Sequence, residues 1–230
     1  MKLMKAIKWY SKGLFPEPYT AGIYLFIFVT QYFTLSALQN GVGLFVSVTQ
    51  LLLIPMVGLM NGLHIIRDDS VTIFELSLLR SWDNIALSKI IVILSSFLPF
   101  LILEGVITFY LNISYEFVYI LATVVAISVL ILFASLMHSF SVSFTSLVIF
   151  LFIFPASSIS LLDNLQALKI TAPVYISYFG YFFSPMFSYE FFQSGVINVV
   201  PINGLLFDSI LFFIMILIYF RTFTRTRYKP

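Results

Sequence analysis

Six stretches of this chain run for about 18 or more residues with almost no charge, the length an α-helix needs to cross the hydrocarbon core of a bilayer. They are Thr20–Leu38, Gly43–Ile66, Lys89–Asn112, Tyr115–Met137, Ser143–Leu161 and Ile202–Phe220. In lipid every backbone N–H and C=O must find its partner within the protein, which leaves helices or closed barrels. These runs are too long and too uniformly apolar for the alternating, roughly ten-residue strands of a barrel. Composition agrees: 60% of the 230 residues are hydrophobic and 10% are charged, too little polar surface for an ordinary soluble domain. The expectation is an all-α integral membrane protein, one transmembrane domain over residues 1–230 with six spans.

Basic residues near short loops stay on the cytoplasmic side. Lys2, Lys5, Lys8 and Lys12 precede the first run, Arg67, Arg80 and Lys89 separate the second from the third, and Arg221, Arg225, Arg227 and Lys229 follow the last. Eleven of the twelve basic residues therefore share one side of a six-span topology, Lys169 being the exception. Both termini are expected in the cytoplasm and the chain in the plasma membrane. The Lys-rich start, followed by Pro16, Pro18 and a full-length run without a small-residue cleavage site, does not read as a cleavable signal. With no cysteine there is no disulfide or thiol chemistry to consider.

In the arm 1–15, Lys2, Lys5, Lys8 and Lys12 recur at helical spacing, and Leu3, Ile7, Tyr10 and Leu14 follow the same period about one position later. Such a helix would lie along the headgroups, one stripe buried and the other offered to anionic membrane lipid. Residues 162–201 lie outside in this topology, yet between Tyr175 and Phe192 ten of eighteen residues are Phe or Tyr, interrupted by Gly180, Ser184, Pro185, Ser188 and Glu190. We expect short interfacial or re-entrant helices there, because a seventh span would carry the basic tail to the wrong side.

Enzyme signatures are missing. No GxxxxGK[ST] phosphate loop occurs, so the chain is not expected to bind and hydrolyse ATP in that manner, and HExxH and GxSxG are absent. The histidines, His64 and His138, read as interfacial residues rather than metal or haem ligands. Neither an enzyme nor a nucleic-acid binder is expected.

Ionisable residues inside spans are costly and invite a functional hypothesis. Glu104 lies fifteen residues beyond Lys89, about 22 Å along a helix, and Asp208 seven residues beyond Pro201, about 10 Å. They would be protonated, hydrogen-bonded to neighbours, or facing a wet cavity. We take Glu104 and Asp208 as candidates for the outer part of a substrate path. Gln31 and Gln50 are included with them, although these and Asn61 read first as interhelical hydrogen-bonding groups. Asn112-Ile113-Ser114, the one N-glycosylation sequon, abuts the membrane.

Between the second and third runs, Arg67, Asp68, Asp69, Glu75, Arg80, Asp83 and Lys89 concentrate charge in a chain that has little elsewhere. Val71, Phe74, Leu78, Trp82 and Ile85, spaced 3, 4, 4 and 3 apart, predict one apolar stripe of a helix. Asp68, Asp69 and Ser70 suit a helix N-terminus, and Arg80 and Asp83 pair on another face. Lipid-seeking helices are rich in Lys and Arg, whereas here four acidic residues outnumber three basic ones. The stripe therefore points to a protein partner.

This layout, with a basic amphipathic arm, two spans, a helical cytoplasmic segment ending in Lys and a partly inserted outer segment before the last span, resembles the permease subunit of type 2 ATP-binding-cassette exporters. The specific likeness lies in residues 67–89: Asp68 and Asp69 match an acidic stretch, Thr72 a Thr, Leu76, Leu78 and Leu79 a Leu-rich helix, Ser81 a turn Ser and Lys89 a closing Lys. Val71 stands where Gly is usual, Trp82 where Arg is usual, and the turn Pro is absent. The resemblance implies a coupling helix that docks on a nucleotide-binding ATPase subunit, through Asp68, Asp69, Thr72, Phe74, Glu75, Leu78, Arg80, Trp82 and Lys89. It also implies ATP and Mg held by that partner rather than by this chain, and a second permease, identical or homologous. The alternatives are a membrane anchor or assembly subunit of a larger complex, or a secondary transporter.

Overall fold

The computed structural model describes residues 2–12, 18–36, 45–46, 48–66, 69–79, 81–113, 117–137, 139–153, 164, 167–168 and 201–225. Among them every regular element is helical: α1 Lys2–Ser11, α2 Pro18–Ser36, α3 Ile54–Ile65, α4 Asp69–Leu79, α5 Trp82–Tyr110, α6 Phe117–Ala134, α7 Phe140–Val148 and α8 Pro201–Arg225. Three stretches are long and apolar enough to cross a membrane: Trp82–Tyr110, Phe117–Ala134 and Gly204–Thr222. Thr20–Thr34, Thr49–Ile65 and Phe140–Ile153 are apolar but shorter. The aromatic segment expected to be re-entrant lies almost entirely outside the described residues, as do Arg67, Asp68, Arg80 and His138.

The centre of the bundle is α6, with α3, α5, α7 and α8 packed around it. Its sequence is apolar on all sides, and most of its residues from Tyr119 to Ala134 are buried, as expected of a helix with neighbours all round. On α8 the pattern is one-sided: Gly204, Asp208, Met215 and Tyr219 are buried, while Leu206, Ile210, Phe213 and Leu217 are exposed. Apolar side chains also cover the outside of α2, from Leu25 to Phe33. So large an apolar exterior suits lipid rather than water.

Two five-residue π turns interrupt the helices, Thr49–Leu53 before α3 and Ile149–Ile153 after α7. Each ends two residues before a proline, Pro55 and Pro155. A proline inside a helix has no N–H to give the carbonyl four residues back, and its ring presses on that carbonyl. For Pro55 that residue, Leu51, lies in the π turn, where the wider coil makes room.

Gly58 and Gly62 allow α3 to approach its neighbours closely. A Cβ added to Gly58 would lie 2.5 Å from Ile127 Cγ2, and one on Gly62 would lie 2.3 Å from Leu147 Cδ2. This small-xxx-small pair therefore packs within the chain, against α6 and α7. At the far end of α5, Asn112 takes the left-handed conformation with φ 57°. Ile113 N–H donates to Thr108 O at 2.9 Å and Asn112 N–H to Phe109 O at 3.1 Å, the double bond that closes a helix C-terminus.

Two expectations need correction. The helix that holds the apolar run Lys89–Asn112 begins at Trp82, not Lys89, and the stripe from Val71 to Ile85 is divided between α4 and α5. Ser81 makes the break: its backbone is extended, φ −164° and ψ 117°, and its hydroxyl accepts from Asn84 N–H at 3.4 Å, which starts a new helix. The arm also differs. Its stripe is covered by protein, since α1 packs on α5 and α4, burying Ala6 and Tyr10 and half-burying Leu3 and Ile7. Met4, Trp9, Lys5, Lys8 and Lys12 remain exposed.

Candidate functional site

Buried polar side chains form a layer joining α2, the first π turn, α5 and α6. Gln31 of α2, which is 2% exposed, donates both amide hydrogens, one to Thr49 Oγ1 at 3.0 Å and one to Glu104 Oε1 of α5. Next to Thr49, Gln50 turns to α6, its Nε2 donating to Thr123 Oγ1 at 2.9 Å and to Tyr119 O at 3.2 Å. The π turn thus aims two consecutive polar residues at two different helices. Thr49, Gln50, Glu104 and Thr123 are each 0% exposed. Water competes poorly for such bonds, so they fix the relative positions of the helices.

The layer is left incomplete at Glu104. Its Oε2 has no hydrogen-bond partner, Gln31 has no amide hydrogen left to give, and the Thr108 hydroxyl is turned to the Glu104 carbonyl at 2.8 Å. Asp208, 0% exposed on the inner face of α8, has a partner for neither carboxyl oxygen, so it is not bonded directly to Glu104. The Asn61 amide on α3 is likewise fully buried without a hydrogen-bond partner. Buried polar groups without partners cost several kcal/mol, about 2–7 by transfer measurements, and ionisable ones inside membrane helices are the strongest markers of function. Of the four residues assigned to a substrate path, the structure joins Gln31 and Glu104 directly. Gln50 reaches the same layer through the π turn, and Asp208 stands apart.

A second cluster ties α1, α4 and α5 together. The Tyr10 hydroxyl donates to Glu75 Oε2 at 2.5 Å, and Lys89 Nζ lies 5.4 Å from the centroid of the Tyr10 ring. Tyr10, Glu75 and Lys89 are 3%, 1% and 1% exposed. Glu75 and Lys89, expected to face a partner, are thus buried within the chain, where Tyr10 of α1 meets both. Trp82 is half-buried against the core as part of α5. The outward side of α4 carries Val71, Ile73 and Phe74, with Phe74 57% exposed. Asp69, Thr72 and Leu78 lie on the backbone of α4.

Periodicity alone missed Tyr10, Thr49 and Thr123 as members of these clusters. Pro55, two residues past the π turn, was the available signal for Thr49. Tyr10 had none, since its partner is 65 residues away. Among the described residues no group of three or more His, Cys, Asp or Glu side chains is placed to hold a metal ion. Comparison with family models, with curated proteins and with solved structures returns no match.

Proposed function

We propose that this chain is the membrane permease subunit of an ATP-driven exporter, moving a hydrophobic or amphipathic substrate outward with energy from a separate ATPase subunit. The observation that carries the reading is α4, a short helix between the apolar helices α3 and α5. It presents Val71, Ile73 and Phe74 outward while its Glu75 is bonded inward to Tyr10. An exposed apolar edge on a helix fastened from behind suits a groove in a protein partner. The proposal counts six crossings, because the apolar runs 20–38, 43–66 and 143–161 extend beyond the described ends of the shorter helices. It places both termini and α4 in the cytoplasm, on the positive-inside rule.

In this reading the ATPase dimer closes on ATP and displaces α4. The displacement reaches α5 through the Tyr10–Glu75 bond and the direct packing of α4 on α5. One continuous helix then carries it from Lys89 to Glu104, about 22 Å at 1.5 Å per residue. At Glu104 it acts on the bond to Gln31 that holds α2, so access to the polar layer follows the state of the ATPase. Two permeases, identical or homologous, would pair with two ATPases.

The test is gentle extraction of the tagged chain from its native membranes, with mass spectrometry of what accompanies it. A phosphate-loop ATPase at equal stoichiometry is expected with the wild type and not with Phe74→Asp, which inserts normally. Retention of the ATPase by Phe74→Asp, or its absence from the wild type, would remove the assignment.

A further inference from the structure

We infer that Glu104, held by Gln31, is the polar end of a substrate site that takes a protonated amine carried on an apolar tail. The inference rests on the exporter reading for its direction and deepens it by naming a substrate class.

The chemistry follows from what Glu104 has and what it lacks. Oε1 accepts from Gln31 Nε2, while Oε2, in a side chain 0% exposed, accepts from nothing and has no acceptor within reach for a proton of its own. If the residue served only to pack helices, its second oxygen would be expected to have a donor as well. Gln31 cannot supply one, since its two amide hydrogens go to Thr49 and Glu104, and neither can Thr108. Among the described residues the basic side chain nearest along α5 is Lys89, fifteen positions and about 22 Å away. What the oxygen lacks is a donor, preferably a charged one. A primary ammonium supplies both the hydrogen and the charge.

The surroundings suit the rest of such a molecule. Ile27 lies one helical turn from Gln31 on α2, and Phe100 one turn from Glu104 on α5, each 1% exposed. A tail lying between these two helices therefore meets apolar side chains next to the carboxylate. The separable element is α2, an edge helix with an exposed apolar exterior, held to α5 by the Glu104 bond and by Tyr24 Oη donating to Ser96 O at 3.2 Å. The π turn beside it presents Thr49 to Gln31, and π turns recur where helices carry function.

The test uses the purified full-length chain in nanodiscs of zwitterionic lipid, with a dansyl-labelled long-chain primary amine as probe. Its N-acetyl derivative, equally apolar but uncharged, is the comparison. Binding above that of empty nanodiscs is expected for the amine, weakened about tenfold or more by acetylation or by Glu104→Gln, the effect of losing one charge-assisted bond. Glu104→Asp, which keeps the charge, should bind better than Glu104→Gln. Equal binding of amine and acetylated probe by the wild type overturns the inference and needs no variant. So does partition no greater than into empty nanodiscs, or undiminished binding by a folded Glu104→Gln. The exporter reading fails separately: discrimination of the amine by a chain that captures no ATPase keeps the site and removes the exporter, and the converse removes the site alone.

Discussion

Replacing Tyr10 with Phe isolates one bond between the arm and the rest of the chain. The substitution keeps the ring that Lys89 approaches at 5.4 Å and removes only the hydroxyl that donates to Glu75 at 2.5 Å. Both side chains are almost fully buried, so the carboxylate loses a donor that water does not replace. A hydrogen bond to a charged group contributes about 1.5–3 kcal/mol, and a value near the lower middle, about 2, corresponds to about thirtyfold in an equilibrium. The loss falls on the docking of α1, because α4 and α5 are the elements it packs on. Amide hydrogen exchange on the chain in nanodiscs reads that docking as a local opening. Peptides covering residues 2–12 should exchange about thirtyfold faster in Tyr10→Phe, the factor worked above, while those covering the central helix α6 are unchanged. Unaltered exchange in the arm would show that the bond does not hold it, and would break the proposed link from α4 through Tyr10 to α5.

Gly62→Ala places a methyl group 2.3 Å from Leu147 Cδ2, and this overpacking should cost about 1–3 kcal/mol, read as a lower Tm in a fixed detergent. Gln50→Leu removes both bonds to α6 but leaves the Thr123 hydroxyl bonded to Tyr119 O at 2.8 Å, so its cost should be about 1–2 kcal/mol. Gln31→Leu should lower Tm more than Gln50→Leu, because it strips the one donor from buried Glu104. The reverse order would contradict the geometry of the polar layer.

The helices themselves were legible, since a long apolar run has few other ways to satisfy its backbone in lipid. Their ends were less so. The stripe from Val71 to Ile85 continues smoothly through Ser81, and a heptad-like count cannot register that a Ser followed by Asp83 and Asn84 caps a new helix. Glu75 and Lys89 stand among other charges in the sequence, and only the packing of α1, from far along the chain, buries them. Gln31 and Gln50 were recognisable as interhelical groups because a carboxamide in an apolar run needs a partner. Which partner each takes depends on the π turn. That turn was readable in principle from Pro55, since a proline disrupts the helix four residues before itself.

If α4 moves with ATP, as proposed, labelling of a single cysteine on it reads that motion. The chain has no native cysteine, and Ser77 is exposed on α4, so Ser77→Cys in inside-out native vesicles reports that helix alone to a membrane-impermeant maleimide. The labelling rate should change when ATP and vanadate trap the partner ATPase closed, and return when nucleotide is washed out. A rate indifferent to nucleotide, with the ATPase still bound, would make α4 a static dock and the chain a membrane anchor.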